Sequence, residues 1–279
     1  MTHVGFMPFI KWAGGKTQLL DVIRERLPAS FDSYYEPFIG GGAVFLKTCP
    51  QRAYINDINP QLINVYKQIK NEVESLITYI NFLDNRECNL EFYLEQRDLY
   101  NKKIINEIYD VESAGLLIWL NKHCFNGLYR VNGKGLFNVP YNKSRIGSSI
   151  VPDNVRAISE YLNKNKVIIS CSDFEEFCDI ISTNNAFVYL DSPYVPMSET
   201  ASFTDYSKSG FLYEDHKRLA DLFKRLDQKG VRLMLSNNDV KLVRELYEGY
   251  IIESIDVKRN INSRGDKRWG KEVIIRNYE

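Results

Sequence analysis

Short apolar runs alternate with amphipathic segments through the first part of the chain. Leu19, Leu20, Ile23 and Leu27 recur at helical spacing, and Pro28 closes the run, which predicts a helix over Thr17–Leu27. Tyr34–Glu36 reads as the end of a strand, followed by Gly40-Gly41-Gly42 and a helix over Ala43–Thr48. Ala53–Asn56 predicts a second short strand and Pro60–Lys70 a further helix. This rhythm predicts a parallel sheet. From about residue 71 the pattern turns to charged helical segments as far as His123. A Gly- and Asn-rich hairpin, YRVNGKGLFNVPY, comes next, with Asn132-Gly133 as its expected turn. Strands return at Val167–Ser170 and Ala186–Leu190, then a helix over 214–229, a strand over Arg232–Leu235 and two closing strands, Ile251–Val257 and Glu272–Asn277. The expected organisation is an α/β domain built from 1–70 and 161–279, interrupted by a helical insertion over 71–160.

Composition narrows the classes. Of 279 residues, 44% are hydrophobic, enough for a large core and against a disordered chain. Lys and Arg (36) balance Asp and Glu (36), so a surface for nucleic acid has to come from local clustering. One such cluster is Lys258, Arg259, Arg264, Lys267, Arg268 and Lys271 around an expected hairpin, which suits phosphates or a solvated turn equally. The five cysteines form no CxxC pair and the three histidines lie far apart, so no metal site is expected. No apolar run approaches membrane-spanning length and no signal-peptide core opens the chain, so a cytoplasmic protein without a membrane partner is expected.

Three motifs carry chemistry. In YYEPFIGGGAVFL, glycines between a strand and a helix let backbone approach a ligand closely, and Asp57 after the next strand is spaced to hold ribose hydroxyls. The alternative is a purely structural turn. Asp191-Ser192-Pro193-Tyr194 follows the apolar strand AFVYL, at a strand end where open α/β sheets bind ligands. A carboxylate and a backbone carbonyl there can accept both N–H bonds of an exocyclic purine amine and localise its lone pair, while the tyrosine stacks on the base. The alternative is an ordinary turn of Asp, Ser and Pro. In PFIKWAGGK, Lys16 can pair with a carboxylate and Trp12 can pack near a sulfonium; the alternatives are a solvated lysine and a core tryptophan.

Taken in order, FIKWAGGK, EPFIGGGAVFL, YINDINPQLINVY, FNGLYRVNGKGLFNVPY, YLDSPY and PMSETASFTDY resemble the Dam-type, alpha-class DNA adenine methyltransferases over nearly the whole chain. The resemblance implies a Rossmann-like methyltransferase sheet with a target-recognition insertion. It also implies transfer of a methyl group from S-adenosylmethionine to N6 of a flipped adenine in double-stranded DNA, within GATC. By the same resemblance Trp12, Ala13, Lys16, Phe38, Gly40, Gly42, Asp57, Asp173, Phe174 and Asp191 bind the cofactor. Asp191, Ser192, Pro193 and Tyr194 form the catalytic tetrapeptide, and Phe125, Asn126, Leu128, Arg130 and Pro140 enter or read DNA. Arg130 suits the O6 and N7 of guanine. Phe125 suits a wedge in the base stack, with core packing of Phe125 and Leu128 as the alternative. A cognate restriction endonuclease as functional partner, and a monomer or weak dimer, agree with this family. The chain departs from it in two places: Ser192 stands where the tetrapeptide usually has proline, and Asn142-Lys143-Ser144-Arg145 follows NVPY in place of a Gly-Arg-Tyr-like stretch. An NAD-dependent oxidoreductase, a methyltransferase acting on protein amide nitrogen and a non-catalytic DNA-binding relative are the competing readings.

Overall fold

The computed structural model describes residues 5–16, 18–143, 147–195, 211–258 and 269–279. Strands β1 (Ser33–Glu36), β2 (Ala53–Asn56), β3 (Ile168–Ser170), β4 (Ala186–Leu190), β5 (Arg232–Asn238), β6 (Ile251–Lys258) and β7 (Trp269–Arg276) form one mostly parallel sheet of order β3-β2-β1-β4-β5-β7-β6. The pairs β1–β2, β1–β4 and β4–β5 are parallel, and β7 runs antiparallel to both β5 and β6. Every residue of SYYE and AFVYL is buried, as strands covered on both faces require. Successive strands run outward from β1 towards β3 and then restart at β4 on the other side of β1. The sheet therefore has a topological switch point between β1 and β4, where open α/β sheets bind their ligands.

The helices are α1 (Leu20–Glu25), α2 (Ala43–Thr48), α3 (Pro60–Asn71), α4 (Val73–Asp84), α5 (Leu90–Ile105), α6 (Val111–His123), α7 (Pro152–Lys164), α8 (Phe174–Asp179), α9 (Tyr213–Gln228) and α10 (Lys241–Leu246). Their starts follow local chemistry. Asn59 Oδ1 accepts from the N–H groups of Gln61 and Leu62, with Pro60 opening α3. Asp110 and Ser113 bond each other's backbone N–H groups in a capping box at α6. Among the described residues no helix is long and apolar enough to cross a membrane.

By compactness the chain divides into two units. Met1–Gly15, Gly40–Cys49 and Asn56–Cys171 make the first, where α3, α4, α5, α6 and α7 pack on one another and Trp119, Tyr93 and Tyr66 are fully buried. Lys16–Ile39, Pro50–Ile55 and Ser172–Glu279 make the second, whose core gathers Tyr35, Phe174, Phe177, Val188, Leu219, Phe223 and Leu235.

Three sequence expectations shift. Helix α1 ends at Glu25, short of Pro28, and its expected start at Thr17 lies outside the described residues. Strand β5 runs on to Asn238, three polar residues past the apolar stretch. The hairpin turns at the expected Asn132-Gly133, but over a longer loop, with the Gly135 N–H on the Asn132 carbonyl (2.9 Å). Asn132 Oδ1 accepts from the N–H of Lys134 and of Leu136, and Gly135 takes the left-handed conformation (φ 74°), so the loop spans 133–135. The segments PMSETASFTDY and Arg259–Arg268 lie outside the described residues.

Helices α4 and α6 approach so closely that a Cβ on Gly115, mid-way along α6, would sit 2.5 Å from Cδ1 of Tyr79. Gly115→Ala is expected to destabilise the fold by about 1–3 kcal/mol, because the clash outweighs the helix-propensity gain of about 1 kcal/mol. Urea unfolding measures it, and a midpoint equal to or above the parent's contradicts this account.

Candidate active site

In the first unit the glycine turn is shaped by its neighbours. Gly40 and Gly42 have φ of 48° and 70°. A Cβ on Gly40 would stand 3.0 Å from the Trp12 ring, and one on Gly42 would collide with the Tyr66 hydroxyl. Tyr66 donates to the Gly40 carbonyl (3.0 Å), and the Gly40 N–H donates to Asp57 Oδ2 (3.1 Å). Asp57 Oδ1 accepts the Asn59 N–H (3.0 Å). Burial pushes the Asp57 carboxyl up, opposed by the N–H groups of Asn59, Gly40 and Ile58. Ile58, beside it, is 70% exposed, an apolar side chain with nothing to cover it among the described residues. The Trp12 ring is half-buried and stacks on Tyr129 at 4.8 Å, while Ala13 is exposed. The structure thus brings Trp12, Gly40, Gly42 and Asp57 together.

The second unit holds the tetrapeptide at the carboxyl end of β4. Lys16 is buried, not solvated, and its ammonium lies 2.6 Å from Asp191 Oδ1 and 4.5 Å over the ring of Tyr194. The Ser236 hydroxyl, on β5, donates to the same Oδ1 (3.2 Å). Burial raises the Asp191 carboxyl, against the opposing charge of Lys16. Tyr194 donates its hydroxyl to Glu272 Oε2 on β7 (2.8 Å), and burial above all holds that phenol well above its ordinary pKa, so it stays a donor. Ser192 is buried and Pro193 exposed. Phe38 packs on Phe174 at 5.4 Å. Asp173 caps α8 through the Glu175 N–H (2.9 Å) and pairs with Arg218 (2.8 Å), both on Oδ1.

The FNGLYR segment and its hairpin belong to the first unit. Phe125 and Leu128 are 51% and 36% exposed, which removes the alternative that they are core. Asn126, Arg130 and Pro140 are exposed too, and Asn126 sits at φ 57°, a strained position for a residue other than glycine. The Phe125 N–H donates to the Pro140 carbonyl (2.8 Å), which ties the two ends of the hairpin together. Arg130 gives Nε to Asn138 Oδ1 (2.8 Å) and Nη2 to the Asn138 carbonyl (3.2 Å), so its outer edge faces away from these bonds.

Asn138, Ser236, Asn237, Asn238 and Glu272 escaped the sequence reading. Asn138 lies within FNVPY and the polar run SNN ends an apolar strand, but neither is distinguishable in sequence from loop-forming residues.

The profile of the D12 class N6 adenine-specific DNA methyltransferases matches residues 12–261. A type II methyltransferase of Lactococcus lactis subsp. cremoris is 43% identical over 277 residues, covering 99% of this chain and 96% of its own. One from Methanocaldococcus jannaschii is 41% identical over 289 residues (97% and 99%), and the DNA adenine methylase of Haemophilus influenzae is 33% identical over 275 residues (96% and 92%). With a lysine-paired, half-buried carboxylate at the switch-point strand end and a shaped glycine turn in place, the conclusion follows that this chain belongs to the D12 class of N6 adenine-specific DNA methyltransferases and is an adenine-methylating enzyme acting on DNA.

Proposed function

We propose that the enzyme transfers the methyl group of S-adenosylmethionine to N6 of an adenine flipped out of a GATC duplex, as the methylase of a restriction–modification pair or a Dam-like methylase. The observation that carries this reading is the state of Asp191. Lys16 and Ser236 both bond Oδ1, so the carboxylate is anchored through one oxygen while Oδ2 accepts an N–H of the target amine. The Ser192 carbonyl accepts the other N–H, and together they turn the nitrogen lone pair out of the ring. Tyr194, held through its hydroxyl by Glu272, offers its ring to the base.

The residues present fit the cofactor. Asp57 keeps a half-buried carboxylate whose oxygens each accept one backbone N–H and have capacity left for ribose hydroxyls. Asp173 bears both its bonds on Oδ1, leaving Oδ2 for an adenine amino group. Phe38 and Phe174 supply apolar surface, Gly40, Gly42, Trp12 and Ala13 supply backbone and ring contact, and Lys16 supplies the charge for a carboxylate. Once bound, S-adenosylmethionine contributes an electrophilic methyl on a sulfonium. The segment 71–160 carries recognition: Phe125 and Asn126 occupy the gap in the stack, Leu128 and Pro140 meet base edges, and the outer edge of Arg130 grips guanine O6 and N7.

Asp57→Ala is expected to weaken cofactor binding by about 1.5–3 kcal/mol, the worth of hydrogen bonds to a charged group. Calorimetry with S-adenosylhomocysteine measures it, and an unchanged affinity removes Asp57 from the ribose. Asp191→Ala is expected to abolish transfer while the folded protein still binds DNA; near-normal methylation means that the site is misassigned. Arg130→Ala is expected to cost about 1–3 kcal/mol on GATC duplexes and little on non-cognate DNA. Equal weakening on every sequence, read by titration at fixed salt, makes Arg130 a phosphate contact.

A further inference from the structure

Strand β5 ends in three buried polar residues, Ser236, Asn237 and Asn238, that its pairing with β7 does not call for, because the ladder is made by backbone groups. Buried amides are costly unless they are bonded. Their side chains bond the loop that leaves β4 instead. Asn237 Oδ1 accepts the N–H of Val195 (3.0 Å) and Asn238 Nδ2 donates to the carbonyl of Val195 (2.7 Å). Both hydrogen-bonding groups of the residue directly after Tyr194 are thereby fixed. Asn237 Oδ1 also accepts the Asn238 N–H (2.8 Å), which locks the amide's orientation, and its Nδ2 makes a long bond (3.4 Å) to the Ser192 hydroxyl. Ser236 completes the row on Asp191.

A proline at the second place of the tetrapeptide would fix its own φ. Ser192 has no ring, so the direction of its carbonyl depends on what holds the loop at either end. At the front that is Asp191, anchored by Lys16 and Ser236; at the back it is Val195, anchored by two amides. Pro193 restricts Ser192 to extended backbone but does not set its φ.

We infer that Asn237 and Asn238 are positioning residues for methyl transfer: they hold the exit of the tetrapeptide, and in this chain they replace the constraint that a proline ring would give at Ser192. This rests on the reading of Asp191–Tyr194 as the catalytic tetrapeptide. Both asparagines bond the loop and lie outside the tetrapeptide read as meeting the substrate, so their loss is expected to act on the transfer step and leave ligand affinities in place.

The test is single-turnover methylation of a GATC duplex with S-adenosylmethionine, beside calorimetric binding of S-adenosylhomocysteine, DNA titration and thermal melting. Asn237→Ala and Asn238→Ser are each expected to slow transfer on the order of ten- to a hundred-fold, as misplacement of a reacting group does, with both affinities changed less than about two-fold. Measured against Ser192→Pro alone, adding Asn237→Ala is expected to cost much less than it costs the parent, because the proline ring then supplies the constraint; a merely structural role for Asn237 does not predict this. If Asn237→Ala does not fold, Asn238→Ser and its combination with Ser192→Pro decide by the same readouts. Transfer within two-fold of the parent, equal losses in rate and cofactor affinity, or an undiminished loss in the Ser192→Pro background overturns the inference. Asp191→Ala in parallel separates the two levels: if it retains transfer, the reading of the site fails. If it is inactive while the asparagine variants are normal, only the positioning role fails.

Discussion

Burial of the central strands on both faces is the constraint from which the rest follows. A strand such as AFVYL has no solvent face, so it cannot carry a charged or amide side chain along its length without a large desolvation cost. Polar chemistry is thereby displaced to the places where strands stop. Asp57 comes one residue after β2, Asp191 one residue after β4, and β5 changes from Leu-Met-Leu to Ser-Asn-Asn over its last three positions. The switch in strand order beside β1 then decides which of these ends can take a ligand.

At the end of β4 the cost of placing charge inside is offset by mutual pairing. Lys16 is almost wholly buried, and it is tolerable there because Asp191 lies within hydrogen-bond distance and the face of Tyr194 lies under the ammonium. Glu272 in turn takes the Tyr194 hydroxyl, and it adds slightly to the upward push that burial gives the Asp191 carboxyl. The result is a chain of alternating groups, Glu272–Tyr194–Lys16–Asp191–Ser236, in which each member limits the rotation of the next. Under the proposed function, such pre-organisation is what an amine with a delocalised lone pair needs from its acceptor.

Much of this was legible in sequence where the signal is local. The strand ends at Glu36, Asn56 and Leu190 and the helix Ala43–Thr48 fall where apolar runs and glycines put them. The partners of those motifs were not legible, because they come from far away in the chain. Val195 is held by residues 42 and 43 positions downstream, and Tyr194 by Glu272, 78 positions away. The hairpin shows the local limit too. Asn-Gly signals a two-residue turn, but the Asn132 side chain bonds two N–H groups ahead of it and moves the left-handed position to Gly135. In sequence Lys16 reads as readily as a solvated charge, because its partner carboxylate, 2.6 Å away in the fold, lies 175 positions on in the chain.

Asparagine was the residue most consistently underread, and the reason is physical. In sequence it signals turns and caps, yet its amide offers one acceptor and two donors at nearly the spacing of a peptide group, so a single side chain can stand in for a neighbouring strand. The structure uses this repeatedly. Asn121 accepts the N–H and donates to the carbonyl of Lys11. Asn101 does the same for Phe137, and Asn154 for Met7. Two of the held residues adjoin a proposed site residue or its partner: Lys11 precedes Trp12, and Phe137 precedes Asn138, which bonds Arg130. Asn237 and Asn238 divide the same task between them at Val195. A loop fixed in this way needs no regular strand pairing, so its exposed side chains can be set by function while its backbone stays as determined as a sheet. Under the proposed function, this accounts for Phe125, Asn126 and Arg130 being both solvent-facing and placed, and for a serine standing where a proline would have supplied rigidity by itself.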